Sequence, residues 1–381
     1  MSVGNPEQPQ GEPVVPAAPV RKRRIRWGRI AIVTIALLFA VVASAVAYVS
    51  IRLNASVSSI PRESTLLPSG SRPPSATPSV KATYAPMNIL LIGSDYRPKE
   101  GERSDTFIVV HISADRKSVY LISFPRDMYV TIPGYGKAKI NAAFSYGGSA
   151  LAVQTIENMT GARIDHVVVT NFTKFTDLVD TIGPITVDNP AGSKRAADER
   201  GVYYTFPKGP LTITDGHMAL AFVRQRLELA NGDLDRTLRQ RAFLKAVALK
   251  LATPEVLANP AKLTSIIETI SKYVSVDAEM TDSVIYSLGF SLSGITSGEQ
   301  IHMVMAPILG FDKVGTEDID VVDVAGVTAL GKALQTDTMP AFVAKWPSTE
   351  YGYTPSPKPS ASSSAPSTKA SATATPTKKK T

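Results

Sequence analysis

The sequence predicts an α/β fold in three α-β-α layers, with helices on both faces of a mixed central sheet. Short apolar runs typical of buried strands alternate with helix-like segments along the chain. Two of these runs, 106–113 and 118–124, flank the four residues "ADRK" and predict an antiparallel hairpin, so the sheet is not purely parallel. Pro/Ser/Thr-rich stretches on either side limit the folded part to one domain, residues 87–346.

The elements follow one another in chain order. Residues 87–93, "MNILLIG", form the first strand, because a short apolar run ends there in glycine. The hairpin comes next, and then a helix over 141–161 that ends at Gly161, the residue type favoured just beyond a helix. The remaining predicted elements are strands at 164–170 and 184–188, and helices at 171–183, 214–223 (capped by Thr214 or Asp215), about 235–252 and 254–274.

The basic charge of the chain belongs to its two ends. Of the net +8, residues 1–52 carry +5 and residues 348–381 carry +4, while 53–347 hold 29 basic and 30 acidic residues. A nucleic-acid-binding domain would carry its positive charge on the folded part itself. The distribution therefore argues against nucleic acid as a partner. The absence of cysteine is in keeping with an extracytoplasmic site.

A membrane anchor is predicted near the N-terminus. Residues 1–29 end in the basic block "RKRRIRWGR", and residues 30–50 are uncharged and long enough to cross a bilayer. The basic block should stay in the cytoplasm and place the rest of the chain outside. A cleavable signal peptide is the alternative, but its apolar core would be shorter, about 7–15 residues. The sequence thus indicates a single-pass cell-membrane protein with an external domain.

Two low-complexity segments flank the predicted domain. Residues 51–86, rich in Pro, Ser and Thr, are expected to form an extended linker that lifts the domain off the membrane. Residues 347–381 have a similar composition with added lysines, and are expected to be a disordered tail.

A loop with two acids follows the first strand. In "GSDYRPKEGERSDT" (93–106), Asp95 and Asp105 flank a flexible segment. Two neighbouring carboxylates repel one another unless a cation bridges them, and Mg²⁺ is bound by such groups together with phosphate oxygens. The alternative is structural, with Asp95 capping a turn and Asp105 paired with Arg97 or Arg103.

Arginines concentrate in "FVRQRLELANGDLDRTLRQR" (222–241), which has five of them and no lysine. Arg224 and Arg226 would point the same way on an extended segment. If Asp233 caps a helix, Arg236 and Gln240 fall one turn apart on one face. Forked, permanently charged guanidinium groups suit a phosphate socket, and a salt-bridged surface is the alternative. Arg239 lies on a neighbouring part of the helix and Arg241 further round, where solvation is expected.

Other catalytic templates are missing from the sequence. There is no GxxxxGK[ST] nucleotide loop, no G-x-S-x-G nucleophile elbow, and no metal-binding spacing among the four histidines. The neighbours Arg126 and Asp127 in "SFPRD" are by themselves more typical of structure than of catalysis.

In order along the chain, seven motifs together resemble the LytR-CpsA-Psr family of bacterial cell-wall assembly proteins. They are "ILLIGSD", "RSDT", "SFPRD", "KINAAFSYGG", "FTDLVD", "GHMALAFVRQR" and "DLDRTLRQRAFL", within residues 87–251.

The resemblance implies a phosphotransferase that moves a glycopolymer from a polyprenyl-pyrophosphate carrier onto peptidoglycan. It implies that Asp95 and Asp105 hold Mg²⁺ (or Mn²⁺), and that the catalytic residues are Arg126, Arg224, Arg226 and Asp105. The implied pyrophosphate-binding residues are Arg103, Arg126, Arg224, Arg226, Arg236 and Gln240, with Lys139, Asn141 and Asp233 in supporting positions. The alternatives are a hydrolase acting on the same lipid, and a non-enzymatic membrane regulator.

Overall fold

The computed structural model describes residues 47–347 except 49, 79–80, 98–100 and 172–174, with only the backbone described at 95–97, 101–103, 171 and 175. Contacts divide the chain into residues 1–50 and 51–381, and the fold below is that of the second unit. No described helix is long and apolar enough to cross a bilayer. The anchor predicted at 30–50 lies outside the described residues except for 47, 48 and 50, and so does the tail from 348 onward.

A mixed seven-stranded sheet forms the centre of the domain. Its strands, in spatial order, are β1 (Arg62–Glu63), β12 (Val274–Asp277), β7 (His166–Asn171), β2 (Met87–Arg97), β3 (Gly101–Ile112), β4 (Val119–Phe124) and β13 (Ile301–Met305). The β2–β7, β4–β13 and β1–β12 pairs are parallel, and the others are antiparallel. The prediction of a mixed sheet is therefore confirmed. β4 is buried along its whole length, as expected of a strand covered on both faces.

The predicted hairpin of β3 and β4 is confirmed, but the segment before it differs from prediction. Residues 93–106 were expected to be a flexible loop. Instead β2 continues to Arg97 and β3 begins at Gly101, in antiparallel register. Asp95 of β2 and Asp105 of β3 therefore lie on two strands that are hydrogen-bonded to each other.

One face of the sheet is covered by helix α2 (Ile140–Thr160), with α9 (Val324–Thr336) and α10 (Met339–Lys345) beside it. Helix α2 ends as predicted, because Gly161 adopts φ 73° and its N–H bonds to the Glu157 carbonyl. Helices α2 and α9 approach so closely at Gly331 that an added Cβ would lie 1.7 Å from the Thr160 carbonyl oxygen.

The remaining helices lie against the other face or beside it. They are α3 (Phe175–Ile182), α4 (Gly216–Arg224), α5 (Asp233–Leu251), α6 (Pro254–Leu257), α7 (Pro260–Ile270) and α8 (Asp282–Ser291). Asp215 caps α4 by accepting from the Met218 N–H at 3.0 Å, one of the two caps predicted. The single helix predicted at 254–274 is divided into α6 and α7, since Asn259 caps a new helix that begins at Pro260.

Four two-stranded ladders complete the domain: β5 (Tyr129–Ile132) with β6 (Gly136–Lys139), β8 (Ile185–Asn189) with β11 (Gly209–Ile213), β9 (Ser193–Ala197) with β10 (Tyr203–Phe206), and β14 (Ile308–Val314) with β15 (Glu317–Val322). Short strands such as these gave no distinct apolar run in the sequence, and only β8 was predicted.

The Pro-rich segment 51–86 differs from the extended spacer expected of it. It contains helix α1 (51–58) and strand β1; Val57 of α1 is buried, and Leu66 lies in the main core. Arg72 forms an ion pair with Glu157 of α2 at 2.7 Å, with both side chains largely buried. Buried apolar residues and ion pairs, which also include Arg52 with Glu268 and Arg62 with Asp282, thus hold this Pro-rich segment against the domain.

Candidate active site

A β-bulge carries Asp105. Gly93 pairs with Thr106 and Ser94 with Ser104, so Asp105 is the extra residue of the bulge on β3. The Ser104 hydroxyl lies 3.1 Å from the carbonyl oxygens of Gly93 and Thr106, and stabilises this turn of the chain. Bulges of this kind redirect a side chain at the edge of a sheet.

Arg126, which follows β4, reaches Asp105 from the neighbouring strand. Its Nη1 donates to Asp105 Oδ1 at 2.7 Å, and its Nε lies 3.2 Å from Asp233 Oδ1. Burial alone would lower the pKa of Arg126, but the Asp233 and Asp105 carboxylates outweigh it and raise that pKa. The Asn141 N–H donates to the Arg126 carbonyl at 3.2 Å, so the start of α2 fixes the backbone here.

The first turns of α5 bring Arg236 and Gln240 to the same strand. Arg236 Nη2 donates to the Asp105 carbonyl at 3.2 Å, and its Nη1 lies 3.6 Å from Asp105 Oδ2. One turn later, Gln240 accepts from Thr106 Oγ1 at 3.2 Å. The predicted helical pair on one face is confirmed.

Asp233 was expected to cap α5, but Gly232 is the N-cap and Asp233 the first helical residue. The Asp233 carboxylate instead lies between two arginines, with Oδ1 2.8 Å from Arg236 Nη2 and 3.2 Å from Arg126 Nε. Four atoms of this cluster are buried and form no hydrogen bond with the described residues. They are both carboxylate oxygens of Asp233 and the Nε atoms of Arg126 and Arg236. This cluster is a network of charges with unused hydrogen-bonding capacity.

The prediction that Arg224 and Arg226 form an extended pair is corrected by the structure. Arg224 is the last residue of α4, and the extended backbone begins only at Gln225. The end of α4 is tied to the site, because Gln240 Nε2 donates to the Val223 carbonyl at 3.3 Å. Arg226 is exposed and forms no ion pair with the described residues.

Arg239 and Arg241 are both fully buried, although Arg241 was expected to be solvated. Arg239 donates to Ala191 O, Gln225 Oε1 and Ser193 Oγ at 2.6–2.9 Å, and Arg241 donates to Val304 O at 2.8 Å. Burial lowers the pKa of Arg239 to about 10 and that of Arg241 to about 9. Both side chains tie α5 to its neighbours through carbonyl groups, and neither belongs to the Asp105 cluster.

Asp320 of β15 was missed by the sequence analysis. Its backbone N–H donates to the Asp127 carbonyl at 2.9 Å, and the residue is only 6% exposed. Burial, with the negative charges of Asp127 and Asp233, raises the pKa of Asp320 to about 7. Lys139 Nζ lies 3.2 Å from Asp127 on the same side. No sequence motif marks Asp320, which comes 193 residues after Asp127.

The predicted metal ligands, Asp95 and Asp105, lie at the same end of the β2–β3 ladder. Asp95 pairs with Arg103, two residues before Asp105, and the side chains of Asp95 and Arg103 lie outside the described part. Within the described part, no group of three or more acidic or histidine side chains is arranged to hold a metal ion. The donor chemistry nevertheless fits Mg²⁺, which takes carboxylate oxygens from one or two residues and completes its shell with phosphate and water.

The chain is similar in sequence to proteins of one known family. The LytR_cpsA_psr family matches residues 56–328, which confirms the resemblance seen in the sequence. The polyisoprenyl-teichoic acid–peptidoglycan teichoic acid transferase TagU of Bacillus cereus is 37% identical over 169 residues, or 44% of this chain and 53% of the relative. TagU of Oceanobacillus iheyensis is 34% identical over 200 residues, or 51% and 59% of the two chains. The chain thus spans about half the length of the curated relatives it matches.

Two solved structures share the fold. The crystal structure of B. subtilis TagV is 29% identical with a TM-score of 0.56, over 66% of this chain and 96% of that one. A structure of TagT bound to LIIa-WTA is 25% identical with a TM-score of 0.54, over 72% and 98%.

Proposed function

This chain belongs to the LytR_cpsA_psr family, and we propose that it transfers a phosphate-linked glycopolymer from a polyprenyl-pyrophosphate carrier onto a hydroxyl of peptidoglycan. The observation that carries the proposal is the convergence of Arg126 and Arg236 on Asp105. The names of its relatives, which are transferases acting between polyisoprenyl-linked teichoic acid and peptidoglycan, support the same chemistry.

The two arginines suit the charge that this reaction develops. The acceptor oxygen attacks the phosphorus that bears the sugar, the bond from that phosphorus to the bridging oxygen breaks, and polyprenyl phosphate leaves with the bonding pair. Guanidinium groups already fixed by Asp105 and Asp233 stabilise this negative charge without reorganising. The Nε atoms of Arg126 and Arg236 are buried and form no hydrogen bond with the described residues, and Arg126 Nε is held by the charge of Asp233 at 3.2 Å.

The acids have two roles in this proposal. Asp233 holds Arg126 and Arg236 at one point, and the carboxylates of Asp95 and Asp105 would hold Mg²⁺, or Mn²⁺, which neutralises further pyrophosphate charge when bound. The proton of the attacking hydroxyl passes to a carboxylate or to water, and Asp95 and Asp105 are the candidates among the acids. Gln240 of α5, Arg224 at the end of α4 and Arg226 just beyond it would contact the pyrophosphate.

The location follows from the substrate. A polyprenyl carrier keeps its tail in the bilayer, and residues 30–50 have the composition of a single membrane anchor with a basic cytoplasmic flank. We therefore place the domain at the outer face of the cell membrane.

The direct test uses the full chain in detergent with a lipid-linked glycopolymer and a peptidoglycan oligosaccharide, followed by mass spectrometry. Joined product with release of polyprenyl phosphate is expected only when both substrates are present. Donor cleavage at the same rate without the acceptor would contradict the proposal, because it would identify a hydrolase.

A further inference from the structure

Helix α2 is interrupted beside the Asp105 bulge. Gly147 and Gly148 have non-helical backbone angles, and Gly148 adopts φ 64° and ψ −159°, which essentially only glycine tolerates. A second helical segment, 149–160, therefore begins at Ser149. The N–H groups in the first turn of such a segment have no carbonyl partner within it, and they are oriented to bind acceptor groups.

A cavity of about 490 Å³ lies between this break and the strands of the sheet. Its volume is within the range of about 300–1,000 Å³ that is typical of small-molecule sites. It lies on the α2 face, and its walls include Ser94 from β2, Phe144 and Ser149 from α2, and Glu63 from β1.

Two buried serines line this cavity without protein partners. Ser94 is 3% exposed and Ser149 is 5% exposed, and neither hydroxyl has a hydrogen bond to any residue in the described part of the chain. Their hydroxyl oxygens are not among the fully buried side-chain atoms that lack a partner, so both remain accessible from the cavity and can donate to a molecule bound there. Together with the helix start at Ser149, they point to a bound molecule that offers hydrogen-bond acceptors.

The cavity is joined to the candidate active site through Ser94. This residue pairs with Ser104, the neighbour of Asp105, at the β-bulge itself. A molecule that contacts the Ser94 hydroxyl therefore lies next to the strand ends that carry the proposed transfer chemistry.

The lining favours a neutral sugar over an anion. The Glu63 carboxylate at the exposed rim accepts hydrogen bonds from sugar hydroxyls, and it repels a free phosphate. Phe144, largely buried, offers an apolar surface to a sugar face or methyl group. The carbonyl oxygen of an acetamido group can accept hydrogen bonds from the hydroxyls of Ser94 and Ser149 and from the N–H groups at the helix start.

We propose that this cavity binds an acetamido sugar of the acceptor glycan and so presents the neighbouring acceptor hydroxyl to the Asp105 site. That the bound sugar belongs to the acceptor glycan rests on the proposed function. The sugar-binding part of the assignment rests on the cavity alone.

The test measures sugar binding separately from transfer. The probe is N,N′-diacetylchitobiose, titrated into the full chain in detergent and followed by ligand-observed NMR, with inorganic phosphate as competitor. The test variant is Ser94→Ala combined with Ser149→Ala, which removes both hydroxyls without adding bulk. The matched control is Ser123→Ala, a serine 1% exposed and without a hydrogen-bond partner in the described part, which alternates to the opposite sheet face from Ile122 and Phe124.

We expect the double variant to raise the Kd for the disaccharide about tenfold, from the loss of two hydrogen bonds. The Ser123→Ala control should leave that Kd unchanged, and phosphate should not compete. In transfer assays the acceptor KM should rise while the donor KM stays constant. Should the double variant lose its cooperative thermal transition, Ser149→Ala alone serves, since alanine is tolerated at a helix start.

Two results would overturn the assignment. One is an unchanged disaccharide Kd in the folded double variant, and the other is displacement of the sugar by phosphate, which would identify an anion site. If the wild-type chain binds the sugar through these serines but transfers nothing, the cavity assignment stands and the proposed function fails.

Discussion

The guanidinium of Arg126 lies 2.7 Å from the Asp105 carboxylate, although 21 residues separate them in the chain. Two structural features produce this contact. The bulge gives Asp105 an extra position on β3, and Arg126 leaves the neighbouring strand β4 at the same edge of the sheet. Arg236 of α5 completes the cluster from outside the sheet.

We expect the proposed Mg²⁺ requirement to depend on Asp105. The change Asp105→Asn keeps one oxygen but removes the charge, so the Mg²⁺ concentration for half-maximal transfer should rise at least about tenfold. Asp318→Asn, on the exposed end of β15, is the matched control and should behave as wild type. An unchanged Mg²⁺ titration in Asp105→Asn would remove this residue from the metal site.

The stability of the domain should depend on the ionisation of Asp320. Its folded pKa of about 7 lies above the ordinary value of 3.8, so the folded state favours the protonated form. The resulting stabilisation is complete below about pH 4 and is lost as the pH rises through 7. Asp320→Asn should therefore raise the free energy of unfolding at pH 8, by on the order of 1–4 kcal/mol, with little change at pH 4. Denaturant unfolding at both pH values measures this, and equal effects at the two would contradict it.

Arg239 should act as a structural anchor. Arg239→Met removes both N–H donors to the Ala191 carbonyl, which should lower the free energy of unfolding by about 3 kcal/mol. Arg195→Met, which removes an exposed arginine stacked on Tyr203, should cost less than about 1 kcal/mol. If the two variants unfold at similar denaturant concentrations, Arg239 does not anchor α5.

The contact of α2 with α9 should tolerate no side chain at Gly331. A Cβ there would lie 1.7 Å from the Thr160 carbonyl oxygen, so Gly331→Ala must separate two packed helices and should destabilise the domain by several kcal/mol, on the order of 3 or more. Gly289 of α8 has open space around it, and Gly289→Ala should stabilise by about 0.5–1 kcal/mol. Thermal unfolding of both variants checks the pair, and a tolerated Gly331→Ala would mean that the helices are further apart.

What the sequence predicts well are features that depend on neighbours along the chain. The end of α2 at Gly161 requires only a residue that tolerates positive φ. Arg236 and Gln240 share a face because they are four residues apart on a helix.

The features that the sequence does not reveal depend on distant partners. The bulge at Asp105 depends on how β3 aligns with β2. Arg239 and Arg241 are buried because carbonyl groups from other elements meet them, and helical periodicity alone placed Arg241 in solvent. Asp320 joins Asp127 only through the pairing of a late hairpin with the β4–β5 connection. The family resemblance supplied the grouping of Asp105, Arg126 and Arg236, which spacing alone left open.

The central claim is that Arg126 and Arg236, fixed by Asp105 and Asp233, recognise a lipid pyrophosphate. The most direct measurement compares the Kd values of geranylgeranyl pyrophosphate and geranylgeranyl monophosphate for the full chain in detergent with Mg²⁺, in wild type and in Arg236→Gln. Wild type should bind the pyrophosphate at least about tenfold more tightly, and Arg236→Gln should lose most of that preference. Equal affinities in wild type, or a preference that survives in Arg236→Gln, would contradict the account.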